Sequence, residues 1–304
     1  MKKIKVTITF LLFSVLLVAQ NSSNLPPFPW HTVNIAWIFQ SPSQNIERLD
    51  MDVTIDRDVP TDYFLYISPF NTTFNNITFY SGIQTNINGW RSKTDSTYTP
   101  SGKGGIFSRW STNPDEEIGL EYVDLLPNGL CESAGYEGNF CSVRRPFAWT
   151  KGTYTMSLIK NETVNFKDSP HTWVSYEITN KSNNETYQIG RLLFEGDSLL
   201  IKQDNVAFVE IYGGELSTKS IPEVNVTFGC PIINQQETPL YQAYTRQVLE
   251  YAQQASKDLL PISPNVTYIS SEENNITVHL SPEVRQQTKN EIIQIIFLEK
   301  IKPQ

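Results

Sequence analysis

Asp50-Met51-Asp52-Val53-Thr54-Ile55-Asp56 alternates apolar and polar side chains without a break, and its reading decides the fold. Period two places Met51, Val53 and Ile55 on one face of an extended strand, with Asp50, Asp52, Thr54 and Asp56 on the other. Upstream, Val33, Ile35, Trp37 and Phe39 repeat the pattern. Downstream, further strands are expected over 63–68, 76–84, 104–110, 117–125, 141–148, 153–160, 172–179, 186–194 and 206–212, separated by clusters of Gly, Pro, Asn and Asp. A strand with one apolar face must bury it against another layer. The expected fold is therefore an all-β antiparallel sandwich, of jelly-roll or lectin-like type, over residues 20–237.

After Pro239 the period changes. Leu240, Tyr244, Val248, Tyr251 and Ala255 recur at helical spacing before Pro261, which predicts a helix over 240–259. A hairpin of 265–270 with 275–280 and a second helix from Ser281 to about Ile301 would complete a small α/β appendage at 238–304.

The N-terminus reads as an export signal. Lys2, Lys3 and Lys5 precede an apolar run from Val6 to Val18, closed by the small residue Ala19 before polar Gln20. The run falls short of the about 20 apolar residues that a membrane span needs. Residues 1–19 are expected to be a signal peptide, and the mature chain to start near Gln20 and be secreted. Without those three lysines, 21 basic side chains face 32 acidic ones, a net charge near −11. Nucleic acid and anionic membranes, which need clustered Lys and Arg, are poor partners for such a surface.

Nine Asn-x-Ser/Thr sequons fit an extracellular glycoprotein: Asn21, Asn71, Asn76, Asn161, Asn180, Asn184, Asn225, Asn265 and Asn275. Of these, all but Asn21 are expected to carry glycan. In an oxidising compartment Cys131 and Cys141, ten residues apart around a glycine-bearing loop, are expected to pair, leaving Cys230 as a thiol. Such a closed loop would contribute about 2–3 kcal/mol. His31, His171 and His279 lie singly, without metal-ligand spacing, so no metal or cofactor is expected.

Five phrases carry a resemblance: Phe79-Tyr80-Ser81-Gly82-Ile83-Gln84, Gly105-Ile106-Phe107-Ser108-Arg109-Trp110, Gly135-Tyr136-Glu137-Gly138, Trp149-Thr150-Lys151-Gly152-Thr153-Tyr154 and Phe208-Val209-Glu210-Ile211-Tyr212. In this order they resemble the exported family catalogued as domain of unknown function 3472, over roughly residues 32–214. The resemblance implies a β-sandwich and no established activity. Cys131, Cys141 and the 238–304 segment lie outside it.

Read physically, Gly82 marks a bulge or close backbone approach within an alternating strand. Trp90 and Trp110 offer aromatic faces, while Gln84, Arg109 and Glu137 offer the hydrogen-bonding groups that orient sugar hydroxyls. The competing reading buries these aromatics in the core. Between Asn76 and Asn161 the chain runs 84 residues without a sequon, a stretch that holds Trp90, Trp110, Trp149 and Arg144-Arg145. The expected function is extracellular binding, with a glycan or glycoprotein as the first ligand. A glycan-active hydrolase is the alternative, since Asp115-Glu116-Glu117, Glu132 and Glu137 supply carboxylates whose separation would decide the matter. A structural extracellular protein without a small ligand is the third reading. A Ser-His-acid triad lacks its Gly-x-Ser-x-Gly elbow, and Gly102-Lys103-Gly104-Gly105 lacks the setting of a phosphate loop.

Overall fold

The alternating stretches form strands with the faces just described. A computed structural model describes residues 30–212, 222–237, 240–246, 266–272, 275–281 and 292–295. Strands β1 (Trp30–Phe39), β2 (Arg48–Ile55), β3 (Leu65–Phe74), β4 (Ile77–Ser92) and β5 (Asp95–Trp110) open the chain. A 3-10 turn at Leu120–Tyr122 leads into β6 (Val123–Asp124), followed by β7 (Leu130–Ala134) and β8 (Phe140–Pro146). Long strands β9 (Gly152–Phe166), β10 (Ser169–Asn180), β11 (Glu185–Glu195) and β12 (Asp204–Ile211) come next. The remainder are β13 (Val224–Phe228), β14 (Ile232–Ile233), β15 (Gln236–Glu237), β16 (Leu240–Arg246), β17 (Val266–Glu272), β18 (Asn275–Leu280) and β19 (Ile292–Ile295).

Every strand pairing is antiparallel, in two sheets. One has nine strands in the order β19-β16-β1-β12-β3-β4-β5-β8-β7. The other has ten, running β17-β18-β13-β2-β9-β10-β11-β6 with β14 and β15 beside β2. Tight turns set their registers. Asn75-Asn76, Lys167-Asp168 and Asn234-Gln235 each hold positive φ at both positions, the geometry whose twist matches flanking strands in two-residue hairpins.

The sheets pack face to face through one core. Val33, Ile35, Trp37 and Phe39 from β1 and Met51, Val53 and Ile55 from β2 are all buried in it. Phe107 of β5 meets Tyr176 of β10 and Phe194 of β11, at ring distances of 6.1 and 6.0 Å, across the gap between sheets. Close approach requires small residues: a Cβ at Gly190 would lie 2.3 Å from Val143. Gly82 plays the expected part, since a Cβ there would stand 2.1 Å from the Ile67 carbonyl oxygen, beside the register shift between Ile67 and Phe70.

Four expectations need correction. The helix expected over 240–259 is not formed at its start: Leu240–Arg246 is strand β16, paired with β1 on one side and β19 on the other. Its residues also fit period two, and β1 would otherwise present a row of unpaired backbone groups. The second helix, expected from Ser281 to Ile301, is interrupted by β19, while 247–259, 282–291 and 296–301 lie outside the described residues. The hairpin between them forms as read, and β18 joins the ten-stranded sheet through β13. The strand expected over 117–125 is irregular through Gly119 and a 3-10 turn at Leu120–Tyr122, with only Val123–Asp124 pairing to β11.

The fourth correction concerns the cysteines. No disulfide joins Cys131 to Cys141. Cys131 stands opposite Val143, and Cys141 opposite Ser133, so the two thiols are diagonal neighbours on the inner face of β7 and β8. Diagonal pairs stand roughly 7–8 Å apart, beyond the usual disulfide span. Residues 1–29, including the signal segment and Asn21, and Asn265 lie outside the described residues. Among the described residues no helix is long and apolar enough to cross a membrane.

Candidate functional site: the outer face of the nine-stranded sheet

Alternation along β5 sends Arg109 and Trp110 in opposite directions. Arg109 turns inward and is 1% exposed. Its guanidinium donates to the Leu193 carbonyl, pairs with Glu195 at 3.1 Å, and lies over the Tyr122 and Phe194 rings. It ties the two sheets together and offers nothing to solvent. Trp110 turns outward, onto the face away from the core. There its indole N–H donates to the Glu137 carbonyl at 3.0 Å, and its ring meets Tyr80 edge-on at 4.9 Å.

That outer face is aromatic across five strands, β12, β3, β4, β5 and β8. From Trp110 the rings continue to Phe140 at 6.1 Å and on to Tyr136 at 5.2 Å. In the other direction Tyr80 leads to Tyr66 at 5.6 Å, which meets Phe208 at 5.2 Å and Tyr212 at 6.5 Å. Tyr66, Ile106 and Phe208 form a small buried cluster of their own, separate from the inter-sheet core. Burial pushes the Tyr66 and Tyr80 hydroxyls well above the ordinary phenol range. Both remain protonated at neutral pH.

At the β7 end the face carries a buried ion pair. Glu132 has no exposed surface, on a strand flanked by β8 on one side and, through Cys131 and Trp90, by β4 on the other. Its carboxylate accepts from the Arg144 guanidinium and from the Tyr98 hydroxyl. The Tyr136 hydroxyl donates to both of its oxygens, at 3.1 and 3.2 Å. Arg144 is anchored from behind by the Asn88 backbone carbonyl at 2.5 Å and its side-chain oxygen at 2.9 Å. The two tyrosines are the large apolar side chains most open to solvent among the described residues: Tyr98 is 51% and Tyr136 65% exposed. Partial burial, then the bond to Glu132, pushes the Tyr98 hydroxyl up to about 12. Tyr136 is raised further, by burial first and the Glu132 charge second.

Local sequence explains this placement. Tyr136 sits in Gly135-Tyr136-Glu137-Gly138, a tight loop in which Gly138 takes φ +86° and lies flat against the Trp110 indole. Tyr98 lies in the first, solvent-facing part of β5, directly across from Trp90.

The structure thus brings Trp110 and Glu137 together and separates the other residues expected at the site. Gln84 faces outward opposite Tyr66, six positions along β4 from the level of Trp110, about 20 Å at roughly 3.3 Å per residue. Its carbonyl accepts from the buried Trp149 indole at 3.0 Å. Trp90 packs against the inter-sheet core. Asp115, Glu116 and Glu117 lie in an exposed loop, and Glu132 is committed to Arg144. His171 is buried, with Nδ1 3.1 Å from the Ser169 carbonyl, and the Nδ1 of His279 lies 2.7 Å from Asn225. No three of His, Cys, Asp and Glu come together as metal ligands would among the described residues.

Sequence reasoning missed Tyr98, Tyr136 and Arg144 as members of the site. The available signal was a charge of each sign, Glu132 directly after Cys131 and Arg144 directly after Val143, within short strand-like stretches.

The described sequons distribute unevenly. Asn161, Asn180, Asn184, Asn225 and Asn275 lie on strands or turns of the ten-stranded sheet. Asn76 is in the β3–β4 turn, and Asn71 stands directly opposite Tyr80.

No family model matches the chain, and no curated protein does. Among solved structures, a Scytalido-glutamic peptidase with a peptide-based transition state analog is similar at 9% identity. That match covers 84% of this chain and 100% of the peptidase, with a TM-score of 0.38. The marine alginate lyase from Aplysia kurodai is also similar at 9% identity, covering 54% of this chain and 70% of its own, with a TM-score of 0.22. Likenesses this weak bear on neither ligand nor chemistry.

Proposed function

We propose that the chain is a secreted, glycosylated β-sandwich that binds carbohydrate on the outer face of its nine-stranded sheet, with Tyr98, Tyr136 and Trp110 as stacking surfaces and Glu137 at the rim. One observation carries the reading: Tyr98 and Tyr136 expose more than half their surface yet are both anchored by their hydroxyls to the same buried carboxylate. Exposed aromatic faces suit the C–H side of a pyranose, and the carboxylate between them accepts from hydroxyl groups. Export is supported by the Lys2 to Ala19 pattern, and glycosylation by the number of sequons, five of the seven described ones lying on the ten-stranded sheet and Asn71 beside Tyr80 on the other. The acidic surface favours a neutral ligand over an anionic one.

A glycan array followed by calorimetry on the selected glycan tests this. Trp110→Ala and Tyr136→Ala are each expected to weaken binding at least about tenfold, roughly 1.4 kcal/mol, while the sandwich stays folded. Array-wide absence of binding by folded wild-type protein would leave the structural reading instead. Unchanged affinity in both variants would move the site elsewhere.

A further inference from the structure

An ionised carboxylate withdrawn from water needs most of its acceptor positions filled. Glu132 has them filled, but in an uneven way. The Arg144 side is held permanently, because its guanidinium is locked to Asn88 and Glu132 itself is 0% exposed. Among the described residues, the other side is filled by two phenol hydroxyls whose rings stand in solvent. Stability does not account for such a pair, since a buried ion pair typically gains nothing over well-packed apolar side chains. Nor does it belong to the core, which lies on the opposite face of β7 and β8 around Cys131, Cys141 and Val143.

We infer that Glu132 is a hydroxyl-reading floor of the binding face: two adjacent hydroxyls of a neutral sugar replace the Tyr98 and Tyr136 hydroxyls on its carboxylate, and the displaced rings become the walls against which that sugar stacks. The inference rests on the carbohydrate reading and names the part of the ligand that is recognised. The exchange is matched group for group. Two O–H donors leave the carboxylate and two O–H donors arrive, so its charge is never left unsatisfied. Arg144 stays in place throughout, and its buried Nε, which has no hydrogen-bond partner, is a further donor on the same guanidinium. Each tyrosine can leave by side-chain rotation, Tyr98 from the exposed segment Asp95–Tyr98 and Tyr136 from a loop bounded by Gly135 and Gly138. An anionic sugar is refused, because Glu132 already neutralises Arg144 and Glu137 stands at the rim.

The experiment compares wild type, the Tyr98→Phe/Tyr136→Phe double variant and Glu132→Gln. The probes are the methyl glycosides of glucose, galactose and mannose with their fully O-methylated counterparts, followed by NMR titration. Where binding is seen only on the array, the same three proteins are compared there. The double variant keeps both rings and removes the competing hydroxyls, so it is expected to bind a free-hydroxyl glycoside about tenfold more tightly than wild type. Glu132→Gln is expected to bind about tenfold more weakly, and the O-methylated probes not at all. Melting temperatures establish that each variant is folded. Should wild type bind while the double variant matches it, the inference is overturned and the carbohydrate reading stands. Should folded wild type bind neither glycosides nor array glycans, the carbohydrate reading itself falls.

Discussion

Gly82 shows how much a single position can decide. Its missing side chain lets β4 run beside the β3 bulge, where a methyl group would overlap the Ile67 carbonyl at 2.1 Å and the Ser68 Cα at 2.8 Å. Backbone cannot give way as a flexible side chain can, so Gly82→Ala is expected to lower stability by about 3 kcal/mol, read as a lower denaturation midpoint with unchanged slope. Wild-type stability in that variant would show that the bulge relaxes freely. This constraint was legible in the sequence, because a glycine that interrupts a strict alternation marks a place where the neighbouring backbone leaves no room for a side chain. Arg109 was not. Its neighbour Trp110 faces out, and parity alone then sends Arg109 inward, but only the opposing Glu195 and Leu193 carbonyl make that burial tolerable, and they belong to the other sheet. Tyr98 and Tyr136 were hidden for the same reason. Their meaning comes from Glu132, 34 and 4 residues away, and from the register that brings the three together.

Strands with one buried face, such as β1 and β2, announce themselves because burial demands period two. The β16 segment does not, since Leu240-Tyr241-Gln242-Ala243-Tyr244-Thr245-Arg246 satisfies both periods, and the vacant edge of β1 chooses between them. Register also decides the cysteine chemistry. Pairing of β7 with β8 sets Cys131 and Cys141 diagonally rather than face to face, and both are buried. Burial pushes the Cys141 thiol up to about 12, and raises Cys131 as well, so neither is a thiolate near neutrality. Maleimide should therefore label both only slowly in native protein and rapidly in guanidinium, with no linked peptide in a non-reducing map. A Cys131–Cys141 peptide would show that β7 and β8 adopt another register.

Across the whole molecule, tyrosines raised above their ordinary value link folding to alkaline pH. Burial raises Tyr66, Tyr80 and Tyr176 well above it, and burial also leads the shifts of Tyr98 and Tyr212, each to about 12. An unfolded phenol titrates near 10, so the native state holds protons that the unfolded chain has lost. Their contribution is fully present below pH about 10 and is lost as pH rises from there toward 12. Stability should fall across that window, with part of the tyrosinate absorbance appearing only together with unfolding. Ionisation of all 14 tyrosines near pH 10 in still-folded protein would contradict the buried outer cluster.

The central claim is that the outer face of the nine-stranded sheet receives the ligand, and hydroxyl-radical footprinting with and without the glycan selected on the array tests it most directly. Tyr98 and Tyr136, the most exposed rings described, should be strongly oxidised in the free protein and protected when the glycan is bound, with Trp110 following them. Trp173 and Tyr187, on the ten-stranded sheet, should react equally in both states. Protection of Trp173 and Tyr187 with Tyr98 and Tyr136 unchanged would contradict the account.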